Sequence, residues 1–343
     1  MTGVNTGTAS QADPAGGSGS STTVPPRAFF RAQPRLEEPP FIPWAVTRVK
    51  TGDGATLCVR VTGDGPAVLL ATGIGVSTPG LEYIAGHLRH HHRVVCWDYR
   101  GVGGSRNGNA VTDYSIPRHA RDALHILDRL QIPSFALLGW SMGVPVGLEV
   151  IRLAPERVRA FGALFGCAGH PFLGRFPWPV APVLQATLRT WSRYPRLPGL
   201  LLQSADRFPS LTWAACTAVH FVGRRARPEI FLADVRSTMQ SESEAYFTTM
   251  RKLFEHDARD MLPAVRCPAL VVAGGRDWVT PAGAAKQMAR EMPRARFVVL
   301  PDATHFGVIE HGPPLWEPID ELLARAGMVK SRNRSPDTES NPD

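Results

Sequence analysis

The stretch LLGWSMGVPVG at residues 137–147 constrains the fold more than any other part of the chain. An apolar run ends at Gly139, a serine stands between two glycines, and an apolar helical pattern follows at once. A strand that turns into a helix with no loop leaves no space for side chains where the two cross. A side chain at Gly139 or Gly143 is therefore expected to collide with the neighbouring strand or helix. Pro145 suits such a helix only because it falls in the first turn, where N–H groups have no intrahelical partner. Either this tight corner happens to hold a serine, or the corner exists to hold Ser141 out.

The surrounding pattern supplies a sheet for that corner. ATLCVRV (55–61) alternates like a half-exposed strand, while AVLLAT (67–72), RVVCWD (93–98), FALLG (135–139), RAFGALFG (159–166), ALVVAG (269–274) and RFVVL (296–300) read as buried strands. Continuous apolar runs of this length are what a parallel sheet covered on both faces requires. Between two of them Ala120, Ala123, Leu124, Leu127 and Leu130 recur at helical spacing, with Pro117 opening the helix. Strands separated by helices predict an α/β fold with right-handed crossovers. The alternation breaks once: residues 168–258 show helical patterns and no convincing strand. The domain reading is an extended or disordered segment at 1–44, a core at 45–167, a helical insertion at 168–258, the rest of the core at 259–328, and a disordered tail at 329–343. The Gly-, Ser-, Thr- and Pro-rich residues 1–26 and the polar tail have almost nothing to bury.

Charge narrows the partners. The formal net charge is +8, from 38 basic against 30 acidic residues, and only Lys50, Lys252, Lys286 and Lys330 are lysines. The excess is arginine scattered along the chain rather than gathered in a stripe, so no nucleic-acid partner is expected. No run is long and apolar enough to suggest a membrane span, and no basic region followed by an apolar stretch marks a secretory leader. The five cysteines are far apart and form no CxxC pair, which suits a reducing, cytoplasmic setting and offers no zinc site.

In the G-x-S-x-G elbow the turn holds the serine hydroxyl above the sheet, and the N–H of the following residue, here Met142, faces the same point. A serine needs a base and the base an orienting acid, in the order Ser, then Asp or Glu, then His. VVAGGRDWVTP puts Asp277 just past a strand, and VVLPDATHFGVIEHGPP puts His305 in the loop after the next one. Both stand at carboxyl ends of strands, the edge where open α/β sheets place their sites. His311 is the nearest rival imidazole, placed where the closing helix should start; Asp302 is the nearest rival acid, close to His305 in sequence. A second oxyanion donor is expected from TGIGVS (72–77), where Gly73 supplies flexible backbone and Ile74 its N–H.

With these residues in place the chain resembles the α/β-hydrolase superfamily, in its capped esterase, epoxide-hydrolase and haloperoxidase-like branch. The resemblance spans about residues 45–328 and rests on GWSMG, GGRDWVTP, THFGVIEHGPP and DYRGVGGS (98–105). It implies a mostly parallel central sheet flanked by helices, with a helical cap inserted after the sixth strand. In the last motif Asp98, Arg100 and Ser105 are expected to be structural. Two positions depart from the family pattern: Thr72-Gly73 stands where His-Gly is usual, and Val144 where Gly or Ala is common. Serine at position 141 disfavours the epoxide hydrolases and haloalkane dehalogenases, which attack with a carboxylate.

The expectation is a serine hydrolase cleaving a carboxylic ester, thioester or lactone through an acyl-enzyme, with no metal or organic cofactor. Acyl transfer or perhydrolysis on the same residues, and a non-catalytic binding protein, are the alternatives. Phe172, Phe176, Trp178, Trp191, Tyr194, Phe208, Trp213, Phe221, Phe231, Tyr246 and Phe247 are shared between a small cap core and an apolar pocket over Ser141. The aromatic and proline-rich stretch 174–184 is a candidate gate for that pocket, and membrane contact there is not expected. The partner is therefore a small to medium apolar ester.

Overall fold

The apolar runs assemble into one sheet in the computed structural model, which describes residues 35–77, 79–108, 111–169, 180–194 and 207–328. Residues 1–34 of the extended or disordered segment expected at 1–44, and the tail expected at 329–343, lie outside these residues, as do Phe172, Phe176, Trp178 and the 174–179 part of the gate. Strands β1 (Ala45–Lys50), β2 (Thr56–Thr62), β3 (Ala67–Ala71), β4 (Arg93–Trp97), β5 (Phe135–Trp140), β6 (Val158–Leu164), β7 (Ala269–Gly274) and β8 (Ala295–Leu300) lie in the order β1-β2-β4-β3-β5-β6-β7-β8. Only the β1–β2 and β2–β4 pairs are antiparallel. The chain leaves β3 toward β4 on one side and returns to β5 on the other, so the strand order reverses between β3 and β5. That reversal opens a crevice at the carboxyl ends of these two strands.

Helices α1 (Glu82–Leu88), α2 (Ile116–Arg129) and α3 (Gly143–Leu153) follow the first strands. Among the described residues, α4 (Val180–Arg193), α5 (Pro209–Ala218), α6 (Pro228–Met239) and α7 (Ser243–Glu255) stand between β6 and β7. The chain closes with α8 (Ala282–Glu291), the short α9 (Gly307–Glu310) and α10 (Pro313–Arg325). Ser115 caps α2 by accepting the Arg118 N–H, and Pro117 sits in its first turn. Successive strand residues point to opposite faces. Leu69, Ala71 and Leu137 thus pack with Ile126 of α2, Val146 of α3 and Met288 of α8, whereas Val68, Leu70 and Leu138 pack with Ile84 of α1 and Ile319 of α10. Burial on both faces explains why β3 and β5 read as unbroken apolar runs.

The sheet departs from the sequence reading at its edges. β1 is an additional strand; only Val49 of AVTRVK is buried, so the segment carries little apolar signal. β8, read as a buried strand, is the opposite edge, with Leu300 its only buried residue and Val299 40% exposed. Among the described residues no strand lies beyond either edge. Residues 35–44 carry no helix or strand, but Ile42 is buried and Leu36 and Trp44 pack on the core.

The DYRGVGGS loop after β4 is held by buried charge. Arg100 is fully buried, with its Nε and Nη2 donating to Asp122 at 2.6 and 2.8 Å and its Nη1 to Asp53 at 2.6 Å. Burial opposes ionisation of Asp53, but hydrogen bonds from Arg100 and Thr51 outweigh it and hold this carboxyl below the usual range. Beside the loop His119 is buried against Tyr99 and pushed down by desolvation to about 4. His311 is likewise pushed down to about 4, by burial first and then by Arg225. Both histidines are neutral in the fold, so the unfolded chain binds more protons between about pH 6.5 and 4. Stability is expected to fall as pH drops through that window and to level off below it, by on the order of 3 kcal/mol for each histidine. Urea midpoints measured from pH 7 to pH 4 check this, and His119→Phe, which keeps a ring against Tyr99, should flatten the curve.

Candidate active site

The corner at Ser141 is built by close approach. β5 ends at Trp140 and α3 begins at Gly143. A Cβ on Gly143 would run into the Ala71 carbonyl of β3, and one on Gly139 into the Gly143 backbone. Ser141 has φ +54, a conformation that side chains rarely adopt and that costs about 1–2 kcal/mol. Its N–H donates to Leu164 O at 3.1 Å and its carbonyl accepts from Val144 N at 3.0 Å, which holds the turn at both ends. Val144, larger than the family's usual residue, is fully buried and packs against Gly166.

The structure brings Ser141, His305 and Asp277 together. Ser141 Oγ lies 2.9 Å from His305 Nε2, and His305 Nδ1 lies 3.0 Å from Asp277 Oδ2. With Nδ1 carrying the proton, the imidazole donates to the carboxylate and accepts from the hydroxyl. Asp277 Oδ1 also accepts the N–H groups of Val279 and Thr280 at 2.8 and 2.9 Å, and Oδ2 accepts the Thr280 hydroxyl at 2.7 Å. The rivals lie elsewhere: Asp302 makes an exposed ion pair with Arg276, and His311 is buried past the end of α9.

Beside the serine, the N–H groups of Met142 and Ile74 have no hydrogen-bond partner among the described residues. A Cβ on Gly73 would rest 3.5 Å from Ser141 Cβ, an ordinary contact, so space does not demand glycine there. The glycine this loop requires is Gly75, with φ +70 and the side chains of Tyr246 and Thr238 packed against its backbone. Thr72 turns its carbonyl to the Tyr99 hydroxyl at 3.1 Å.

A cavity of about 590 Å³ opens over Ser141, Ile74 and His305. Helices α6 and α7 wall it with Val235, Met239, Tyr246 and Met250, and the segment after α5 adds Phe221. Of the aromatics noted in the sequence, Trp191, Phe221 and Tyr246 border the cavity. Phe231 and Phe247 are buried, Trp213 packs on Phe231, and Tyr194 and Phe208 are exposed. Cys167, also at the wall, is an inert thiol, pushed up to about 12 by burial.

Several supporting residues escaped the motif reading. Trp140, a position the motif leaves free, donates from Nε1 to the His305 carbonyl at 3.1 Å and packs edge-on against Phe306. The segment 219–223 is bonded to both loops of the constellation. Trp278 Nε1 donates to Val219 O at 3.0 Å, Thr304 Oγ1 to Phe221 O at 3.1 Å, and Gly223 N to Glu310 Oε1 at 2.6 Å. Glu310 also accepts the Thr304 N–H and lies in hydrogen-bond contact with the Thr304 hydroxyl oxygen, and burial raises its carboxyl above the ordinary range. Trp140, Trp278, Thr304 and Glu310 fall within the motif stretches but at positions to which no motif assigns a role, and the 219–223 segment falls in none of them. Among the described residues no group of three His, Cys, Asp or Glu side chains is placed to hold a metal ion, and no helix is long and apolar enough to cross a membrane.

Known proteins carry the same frame. The chain is 25% identical over 256 residues to a pimeloyl-(acyl-carrier protein) methyl ester esterase of Chromobacterium violaceum, covering 74% of this chain and 93% of that one. It is 29% identical over 317 residues to the polyketide synthase ThaQ of Burkholderia thailandensis, covering 91% of this chain but 14% of that protein. Among solved structures, an esterase from Thermogutta terrifontis superposes with a TM-score of 0.68 at 23% identity, over 82% of this chain and 99% of that one. The family model described as alpha/beta hydrolase fold matches residues 66–312, and with its sheet in the same arrangement the chain belongs to the α/β-hydrolase family.

Proposed function

We propose that the protein is a serine hydrolase that cleaves an apolar carboxylic ester through an acyl-enzyme on Ser141, under a helical cap formed by residues 168–258. The observation that carries the reading is the unbroken chain of contacts from Ser141 Oγ to His305 Nε2 at 2.9 Å and from His305 Nδ1 to Asp277 at 3.0 Å. The Chromobacterium violaceum relative is named as a methyl ester esterase, the same class of reaction. Free cysteines fit a reducing, cytoplasmic setting.

In this mechanism Ser141 Oγ attacks the ester carbonyl carbon as its proton passes to His305 Nε2. The carbonyl oxygen becomes an oxyanion and takes hydrogen bonds from the Ile74 and Met142 N–H groups. Asp277 holds the ring and stabilises the imidazolium without itself taking the proton. Collapse breaks the bond to the alcohol oxygen, which leaves with the proton from His305. Water then attacks the acyl carbon, with His305 again as base, and restores the serine.

Ser141→Ala is expected to lower kcat for p-nitrophenyl esters by about 10⁴–10⁶-fold and to abolish labelling by a fluorophosphonate; near-full activity would exclude the mechanism. Asp277→Asn should lower kcat by roughly 10⁴-fold, because the amide favours the wrong imidazole tautomer. The apolar wall predicts kcat/KM rising with acyl chain length to a cut-off, at about 0.8 kcal/mol for each buried methylene. A p-nitrophenyl ester series checks this, and a preference for highly charged esters would contradict it.

A further inference from the structure

The loop from Thr72 to Gly80 carries the Ile74 N–H, and it is anchored from two directions. From the core, the Tyr99 hydroxyl donates to Thr72 O at 3.1 Å and the Ser77 hydroxyl to Asp98 Oδ1 at 2.7 Å. From α6, Asp234 Oδ1 accepts the Gly80 N–H at 2.9 Å, and the hydroxyls of Ser237 and Thr238 lie 3.4 and 3.2 Å from Gly75 O, with the Thr238 hydroxyl shared with Asp234 O at 3.1 Å in its own helix. Asp234, Ser237 and Thr238 are spaced i, i+3, i+4 and so share one face of the helix. The approach is close enough that a side chain on the loop would displace those of the helix. A Cβ on Gly80 would come within 2.5 Å of Asp234 Oδ2, and one on Gly75 within 2.9 Å of Thr238 Cγ2.

We propose that Asp234 is a positioning residue: through Gly80, with Thr238 supporting at Gly75, it fixes the loop that aims the Ile74 N–H. The anchors alternate along the chain, core at 72 and 77 and helix at 75 and 80, and Ile74 lies between a core anchor and a helix anchor. Asp234 is 1% exposed, and its second carboxyl oxygen, Oδ2, has no hydrogen-bond partner among the described residues. Burial pushes the carboxyl well above the usual range, opposed by the Gly80 hydrogen bond and helped by the nearby Glu82, and what Gly80 takes from Oδ1 is only an acceptor. A neutral amide can therefore take its place.

The inference rests on the proposed oxyanion role of Ile74, and the test separates the two. Losing one oxyanion donor outright costs about 10²–10³ in rate, so a displaced donor is expected to cost about 10–100-fold. Asp234→Leu should lower kcat by that factor with KM changed less than about threefold. It should also weaken an alkyl trifluoromethyl ketone, which adds to serine as an oxyanion, by a similar factor. Asp234→Asn should return kcat to within about threefold of the parent. Asp234→Leu with parental kcat, or with lowered kcat and unchanged ketone affinity, overturns the proposal, as does failure of Asp234→Asn to restore activity in a folded protein. If Asp234→Leu loses its circular dichroism signal, Thr238→Val decides: a kcat loss of about 3–10-fold matched by the ketone supports positioning, and no change in either overturns it. Activity surviving in Ser141→Ala would instead defeat the serine mechanism itself, whatever Asp234 does.

Discussion

The site depends on how closely the first turn of α3 lies against β3. Gly143 rests on the Ala71 carbonyl and Gly139 on the Gly143 backbone, so neither position can accept a Cβ without moving main chain. With that contact go the left-handed backbone at Ser141 and, beside it, a Met142 N–H with no hydrogen-bond partner among the described residues. The contact also sets which loop the serine faces. β3 and β5 are parallel neighbours, with Ala71 paired to Gly139, so the loop after β3 must leave the sheet next to the corner after β5. Asp277 and His305 then reach the serine because β7 and β8 run the same way and end at the same edge.

The buried ions around the loop after β4 serve that geometry at one remove. Asp98 takes hydrogen bonds from Arg60, Ser77 and the Gly104 N–H, while Ser105 bonds Asp98 O and accepts from Cys58 N. Replacing a buried ion pair by apolar side chains is often neutral or stabilising. The DYRGVGGS motif is therefore better understood as fixing position than as adding stability. Through Ser77 and Tyr99 it presents the loop after β3 at a set height above the sheet.

The strands and the three principal residues were legible because each follows from a local rule. Unbroken apolar runs gave the central strands, the paired glycines gave the corner, and strand ends located Asp277 and His305. The edge strands were not legible for an opposite reason. β1 buries one residue and β8 one, so an apolar count misses the first and overstates the burial of the second. Trp140, Thr280, Glu310 and Asp234 were beyond reach because their roles depend on partners far away in sequence or on hydrogen-bond directions that no pattern encodes. Trp140 meets His305 across 165 positions, and Asp234 meets Gly80 across 154.

Those long-range bonds make the inserted helices part of the site rather than a cover for it. On one side the 219–223 segment is tied to the loops bearing Asp277 and His305; on the other, α6 is tied to the loop bearing Ile74. Between them Phe221 lies nearly parallel to the His305 ring, with centroids 6.3 Å apart. Hydrogen bonds strengthen in surroundings of low dielectric, and so do interactions between charges. The inserted segments that line the cavity with apolar side chains are thus also bonded to the loops around it. A change that loosened the packing of α6 would weaken the site twice, by admitting water and by releasing Gly80, even though no atom of α6 touches Ser141 through a hydrogen bond.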